Sequence, residues 1–415
     1  MNGELTEETA RRAVEVLRRC AGPRGFTASG TADGYPEVWA RDAMVTLVGV
    51  CAARLEELLP AARASLETLA GGQSELGRIP LNVDPAGRPG TANAGALDGN
   101  LWFLIGHRAL HEAFGTTDLL ARHRDALVRA MRWLRHHDVD EDGLLESQEA
   151  SGWADLLAYR GKVLYDNVLY VLALRAYGAL AAAVDLPEAT LHARLADRAA
   201  ERLEALHWVA SRDGLWETAA SPALRGGHDE AQRLAQLATA QLWNRPYFLP
   251  WVGFREYGDW CDVLGNSLAI LAGIAGAERA AAILDHLEAV GAAEPYPAKA
   301  IWPPIRPGDR DWRDYYRNNG LNLPDQYHNG GIWPLVGGML VAAEVGAGRR
   351  ERAATHLERL AEACRLGREG EWEFSEWLHG GTGRPMGRAF QAWSAAGYLV
   401  AHRAVATGEV PSPLS

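Results

Sequence analysis

The sequence carries almost none of the apolar–polar alternation that marks a half-buried strand, so a sheet-based core is not expected. Positive charge is short as well. The 42 Lys and Arg face 53 Asp and Glu, a formal net charge of −11 at pH 7. That is the wrong sign for a nucleic-acid groove or an anionic membrane surface. Cysteine is sparse: Cys20, Cys51, Cys261 and Cys364 lie far apart with no CxxC. No disulfide framework or cysteine metal site follows, and each is expected as a small buried residue. No apolar run approaches about 18 residues without a polar interruption, so no membrane span is expected. The first residues, MNGELTEETARRAVEVLRRC, read as an acidic-capped amphipathic helix rather than a signal peptide, which leaves a cytoplasmic location as the default. Several reaction signatures are also missing: GxSxG, the P-loop, GxGxxG after a strand, and HExxH. Phenylalanine is scarce, with 7 Phe against 15 Trp and 12 Tyr. Trp and Tyr join a flat apolar face to a polar handle, which suits a sugar as well as a helical core.

What is present is helix, of two alternating kinds. Charged amphipathic segments include TEETARRAVEVLRRCA, PAARASLETLAGG, LLARHRDALVRAMRWLRHH, ATLHARLADRAAERLEALHW, AERAAAILDHLEAV and RRERAATHLERLAEAC. Their Arg and Glu faces belong in water. Between them lie six segments that are apolar nearly all round, starting at Ala43, Asn100, Asn167, Asn266, Pro334 and Ala392. Helices of that kind are buried on several sides. Six outer and six inner helices in alternation describe an all-α (α/α)6 barrel. It is expected to occupy residues 1–415 as a single domain, with 1–34 an outer helix and loop. The spacing is uneven, with no strict repeat.

Each inner segment follows a polar-aromatic motif: GYPEVWARD, GALDG, YRGKVLYD, WCDVLG, QYHNGGI and GRAFQ. In an alternating barrel all inner helices start at one end, so these six motifs are expected to converge at one rim. Asp42, Asp98, Asp166 and Asp262 also read as helix caps or first-turn acids. Capping does not account for Trp39, Tyr165, Tyr327 and Trp333 at the same end. Two further acids stand in loops: Asp155 after Trp153, and Glu376 between Phe374 and Trp377. Aromatic cover raises a carboxyl pKa by desolvation. A protonated and an ionised carboxyl across a pocket are what glycoside hydrolysis needs. DEDG at 140–143 invites comparison with a calcium-binding loop. It is not adopted as a metal site, and no metal or cofactor is expected. His328 is the one histidine in a ligand-rich motif, and reads as a hydrogen-bonding residue rather than a metal ligand.

QYHNGGIWP, together with GRAFQAWSAAGYLVA, resembles the alkaline/neutral invertase family of glycoside hydrolases. DVLGNSLAI is similar to that family's Leu-Gly-Asn helix start. VWARDAM is similar both to its aromatic-x-Arg-Asp motif and to the amylo-α-1,6-glucosidase domain of glycogen debranching enzymes. The resemblance runs from residue 35 to 405. It implies an inverting hydrolase with an Asp acid, matching Asp155, and a Glu base, matching Glu376. It also implies sugar contacts at Asp42, Tyr327, His328 and Gln391. Arg41 is expected to pair with Asp42. Trp39, Trp302 and Trp333 are expected as stacking faces, and Asp98, Tyr165 and Asn329 as further binding positions. This chain has Ala154-Asp155-Leu156-Leu157 where the family has Ile-Asp-Arg-Arg, and Ser375-Glu376-Trp377-Leu378 where it has Pro-Glu-Tyr-Tyr. The aglycone therefore stays open between a sucrose-type substrate, an α-glucosyl conjugate and a glucan cut by a debranching-type glucosidase. A sugar epimerase or isomerase on the same barrel, using paired histidines, is the reading from another class, and a non-catalytic sugar-binding protein is a third. The expected partner is a small carbohydrate, with no nucleic acid and no membrane; a homo-oligomer is compatible with the sequence.

Overall fold

The computed structural model describes residues 3–415 apart from 33, 92, 94, 210–241, 243 and 244. Among the described residues are twelve α-helices. Six form an inner set: α2 (Ala40–Ala52), α4 (Asp98–Phe114), α6 (Leu164–Val184), α8 (Val263–Leu271), α10 (Pro334–Gly346) and α12 (Ala392–Thr407). The outer set is α1 (Gly3–Cys20), α3 (Leu59–Gly71), α5 (Thr117–Arg135), α7 (Ala189–His207), α9 (Ala277–Ala289) and α11 (Arg350–Arg365). The expected alternation is therefore the one observed.

The amphipathic period dictates which helix goes where. α1 buries Thr9, Ala13, Val16, Leu17 and Cys20, one stripe at helical spacing. In α2 every residue from Ala40 to Cys51 is buried. Consecutive inner helices pack on one another, and α12 packs back on α2, so the inner ring closes. α1 docks on α12 and α11, bringing the first outer helix against the last. Small residues let the inner backbones approach. A Cβ at Gly338 of α10 would lie 2.3 Å from the Gly397 carbonyl oxygen of α12. α6 runs 21 residues and is apolar enough to cross a membrane by length and composition. That corrects the expectation that no segment qualifies; here it is an inner helix walled by α4, α5, α7 and α8. All four cysteines are free and buried.

Four inner-helix starts lie two or three residues earlier than the sequence suggested, because short strands and first-turn acids feed them. The strand pairs are β1 (Ala21–Gly22) with β2 (Gly25–Phe26), β3 (Val38–Trp39) with β4 (Asn82–Val83), β5 (Lys162–Val163) with β6 (Trp251–Val252), β7 (Cys261–Asp262) with β8 (Ile301–Trp302), and β9 (Trp377–Leu378) with β10 (Pro385–Met386). All are antiparallel and two residues long. β3, β5 and β7 each run directly into an inner helix.

The rim loops are tied to these helix starts by buried asparagines. Asn167 accepts the Leu145 N–H at 2.7 Å and donates to the Leu145 carbonyl at 3.0 Å. Asn266 does the same to Phe248, at 2.9 and 3.1 Å. Asn329 does it to Ile305, at 2.7 and 2.8 Å. Asn100 accepts from the Ile79 N–H and donates to the Gly77 carbonyl, at 2.7 and 2.9 Å. All four side chains are closed to solvent. Replacing Asn167 by Ala strands a buried N–H and a buried C=O at Leu145. We expect a loss of about 2–4 kcal/mol of unfolding free energy. Urea denaturation should show it as a lower midpoint at unchanged slope, and an unmoved midpoint would show that the clamp contributes nothing.

Candidate active site

Asp155 stands in the loop before α6, and Glu376 in the loop before α12. These helices are three steps apart in a ring of six, so the two carboxyls come from opposite sides of the mouth. Glu376 is held by a two-way link to Arg388. Its N–H donates to the Arg388 carbonyl at 2.8 Å, and its Oε2 accepts the Arg388 N–H at 3.0 Å. Phe374, two residues earlier, takes a left-handed φ of 43°, a conformation that survives only where its surroundings impose it. Gly387 at φ 68° lets the Arg388 segment pass: a Cβ there would lie 2.5 Å from Glu376 Oε2. The Asp155 loop is braced from outside, with the Ala158 N–H donating to the Tyr316 hydroxyl at 2.8 Å and Asn322 donating to the Leu156 carbonyl.

Burial pushes the Glu376 carboxyl up to about 7; the Arg388 N–H opposes this, and the charges of Asp42 and Asp155 add to it. Asp42 is likewise pushed up to about 7 by burial, against the pull of Arg41. Asp155 is pushed up to about 6 by burial, again opposed by Arg41. It leaves 32% of its side chain open. It is set deep in protein yet reached by water, which screens its charge. Three carboxyls, two from rim loops and one from the first turn of α2, thus share one electrostatic environment.

The motif around His328 builds the wall. His328 stacks on Trp333, with centroids 4.9 Å apart and planes 9° from parallel. Trp153 meets both rings edge-on, at 5.0 and 5.6 Å. The Trp333 indole N–H donates to the Tyr327 carbonyl at 2.9 Å. Tyr327 remains half-buried, leaning toward Trp377 at 5.9 Å. The segment at Ile332 carries this wall to the Glu376 loop, since Ile332 and Leu378 exchange backbone hydrogen bonds at 2.8 and 2.7 Å.

Other expected site residues take different stations. Arg41 pairs with Asp98 rather than with its neighbour Asp42, because consecutive helical residues point in different directions. Asp98 is closed to solvent, and the Tyr165 hydroxyl donates to it at 3.4 Å while accepting from the Trp102 indole at 2.8 Å. Asp98 and Tyr165 therefore lie beneath Arg41 and fix it. Asn329 spends its side chain on the Ile305 clamp and on the Asn322 carbonyl. Trp333 is fully buried, so it backs His328 rather than offering a face. Trp302 is half-buried, with its ring under the Lys299 ammonium at 5.0 Å. Gln391 approaches Asp42 at 3.5 Å. Trp39, half-buried, meets Tyr35 edge-on at 5.9 Å.

Tyr35 and Arg388 were not singled out from sequence. The Arg388 guanidinium lies 5.9 Å from the Tyr35 ring, and the charges of Glu376 and Asp42 both act on the Tyr35 hydroxyl. Their signal was membership of two rim motifs, GYPEVWARD for Tyr35 and GRAFQ for Arg388. The acidic loop does alternate its acids. Asp138, Asp140 and Asp142 bring carboxyl oxygens within 4.8 Å of one another, and Lys162 places its ammonium on Asp140, at 3.0 Å, and on Glu146, at 2.9 Å. A cavity of about 230 Å³ lies at the other end of the barrel, beside Cys51, Glu112 and Arg403. It is remote from the carboxyls.

The ring shares the (α/α)6 fold with solved glycosidases. A GH63 mannosylglycerate hydrolase from Thermus thermophilus, in complex with glucose, superposes with a TM-score of 0.66 at 17% identity, covering 94% of this chain and 98% of that one. A bacterial glucoamylase complexed with acarbose does so with a TM-score of 0.67 at 16% identity, over 98% of this chain and 57% of that one. Within that architecture, residues 259–407 match the family described as alkaline and neutral invertase, so the resemblance expected from the motifs is borne out there. Probable alkaline/neutral invertase D of Arabidopsis thaliana is 40% identical over 146 residues, 33% of this chain and 26% of that protein. Cytosolic invertase 1 of Oryza sativa subsp. japonica is 38% identical over 146 residues, 33% of this chain and 24% of that protein. The chain thus spans about a quarter of the length of these curated relatives. The matched region holds Glu376, Tyr327, His328 and Gln391; Asp155 and Asp42 lie outside it.

Asp262 offers a test of the electrostatics away from Asp155 and Glu376. It caps α8 by accepting the Gly265 N–H at 3.0 Å, and burial pushes it up to about 7. A carboxyl raised above its unfolded value stabilises fully below that value, and the contribution is lost as pH rises through about 7. Asp262→Asn keeps the cap acceptor and removes the charge. It should raise the melting temperature at pH 8 and leave it nearly unchanged at pH 4. An equal effect at both pH values would show that charge burial is not the cause.

Proposed function

We propose that the chain is an inverting glycoside hydrolase acting on a small α-glucoside, with Asp155 as general acid and Glu376 as general base. The observation that carries this is the pair itself: two carboxyls from opposite sides of the ring, both raised toward neutrality, beside the half-buried Tyr327 and Trp39. Asp155 protonates the glycosidic oxygen, and Glu376 removes a proton from a water on the other face of the sugar. Arg41, fixed by Asp98, and Asp42 with Gln391 orient the sugar hydroxyls. Leu156, Leu157 and Trp377 stand where the family carries polar or smaller aromatic neighbours; Leu157 and Trp377 are buried, so the half-buried Leu156 is the one placed to favour a less polar aglycone than fructose. The invertase-like segment supports the reaction class, and a cytosolic location is proposed from the rice relative. For an epimerase, the rim offers the single buried His328 and no partner histidine among the described contacts.

In the free site both carboxyls are raised, Asp155 to about 6 and Glu376 to about 7. Sugar binding covers the open face of Asp155, removes water and raises its carboxyl further, which favours the protonated acid. Hydrolysis of sucrose, trehalose, isomaltose, maltose and glucosylglycerate should be followed by proton NMR. One of these should release its sugar first as the β-anomer, and release as the α-anomer would overturn inversion. The pH profile of kcat/KM should be a bell with limbs near 6 and 7. Asp155→Asn and Glu376→Gln should each cut kcat by about 10²–10⁴. Folded variants with wild-type turnover would reject the pair.

A further inference from the structure

We propose that His328 is the positioning residue of the acid: its Nδ1–H hydrogen-bonds Asp155 Oδ1 and so turns the other carboxyl oxygen, with its proton, toward the glycosidic oxygen. This rests on Asp155 being the acid. The backbone first makes the insertion possible. Tyr327 at φ 44° and Gly330 at φ 90° bend the chain on either side of His328. Its ring is then gripped by Trp333 in parallel, Trp153 edge-on at 5.0 Å, and Tyr327 at 4.0 Å. Only 1% of it is exposed. A ring held on three sides keeps its nitrogens where they point.

Nδ1 is buried and has no hydrogen-bond partner. Its nearest ion-pairing oxygen is Asp155 Oδ1, at 3.9 Å. That is about 1 Å beyond a hydrogen bond. His328 is enclosed by three rings, whereas Asp155 stands on a loop with a third of its side chain open. A small rotation of the carboxyl closes the gap, in keeping with the tightening of catalytic contacts when substrate enters. The other groups acting on His328 argue for a neutral ring. Burial holds its pKa well below the usual range, and the nearby Arg41 charge pushes the same way. A neutral ring does not compete as an acid, yet it still has one N–H to give. As the Asp155 proton moves to the leaving oxygen, negative charge grows on the carboxyl and the Nδ1–H bond strengthens. The same bond lowers the carboxyl's proton affinity, so its benefit lies in the transfer step rather than in the resting protonation.

Three variants separate this role from ring packing. His328→Asn keeps a donor near the Nδ1 position, His328→Phe keeps the stack on Trp333, and His328→Ala keeps neither. Each is assayed on the best glycoside found above and on the matching α-glycosyl fluoride, whose leaving group needs little protonation. On the glycoside, Asn should stay within about fivefold of wild-type kcat while Phe and Ala fall by about 10². On the fluoride, all three should stay within about tenfold. If Phe matches or exceeds Asn, or if Ala loses as much on the fluoride as on the glycoside, His328 is a packing residue and the proposal is overturned. Should His328→Phe fail to fold, the comparison of Asn with Ala on the two substrates still decides it. Asp155→Asn is run alongside. Wild-type turnover there would mean that the acid is misassigned, a failure distinct from that of His328.

Discussion

The fold rests on how its rim loops satisfy their own backbone. Loops at the mouth of a closed helical ring are pressed into protein, and a buried amide without a partner is costly. Asn167, Asn266 and Asn329 each solve this for a loop by bonding both the N–H and the C=O of one residue. Asn100 solves it across two residues. A primary amide is the side chain that can donate and accept in one plane. Each clamp fixes a loop against the start of an inner helix, where the polar-aromatic motifs lie. The precision of the site follows from these clamps more than from the helices behind them.

The second constraint is electrostatic. Helix starts draw acids, and the ring gathers Asp42, Asp98, Asp166 and Asp262 at one end. Arg41 answers Asp98, while the Ser147 hydroxyl serves Asp166 at 2.6 Å. Burial raises the Asp166 carboxyl, and the charge of Asp98 adds to the rise. Carboxyls raised to about 7, as Asp42, Asp166 and Asp262 are, are a poor way to stabilise a fold at neutral pH and a good way to keep protons available. Stability and proton handling therefore pull against each other at this rim.

Much of this was legible in the sequence, for definite reasons. The outer helices announce themselves by a polar face, as in α1, and the inner ones by its absence, as in α6. Convergence of the motifs follows from alternation alone. The strand pairs were not legible, because two residues carry no period. The asparagine clamps were hidden because Asn329 and its partner Ile305 lie 24 residues apart. Adjacency misled for Arg41, whose ion pair is with Asp98, 57 residues away. Motif membership also overstated exposure: Trp333 and Asn329 share the run with Tyr327 but face protein.

The seam between the two ends of the chain carries a further meaning. The Ala392 N–H donates to the Ala28 carbonyl at 2.8 Å, the Gly30 N–H to the Phe390 carbonyl at 2.9 Å, and Gln391 reaches Asp42. Asp42 of the first inner helix is thus met by a residue some 350 positions later. No contiguous stretch of the ring holds a complete pocket. During folding, contacts this distant form late because their loop must close first. Catalytic competence in such a molecule arises in one step, at ring closure, rather than accumulating helix by helix.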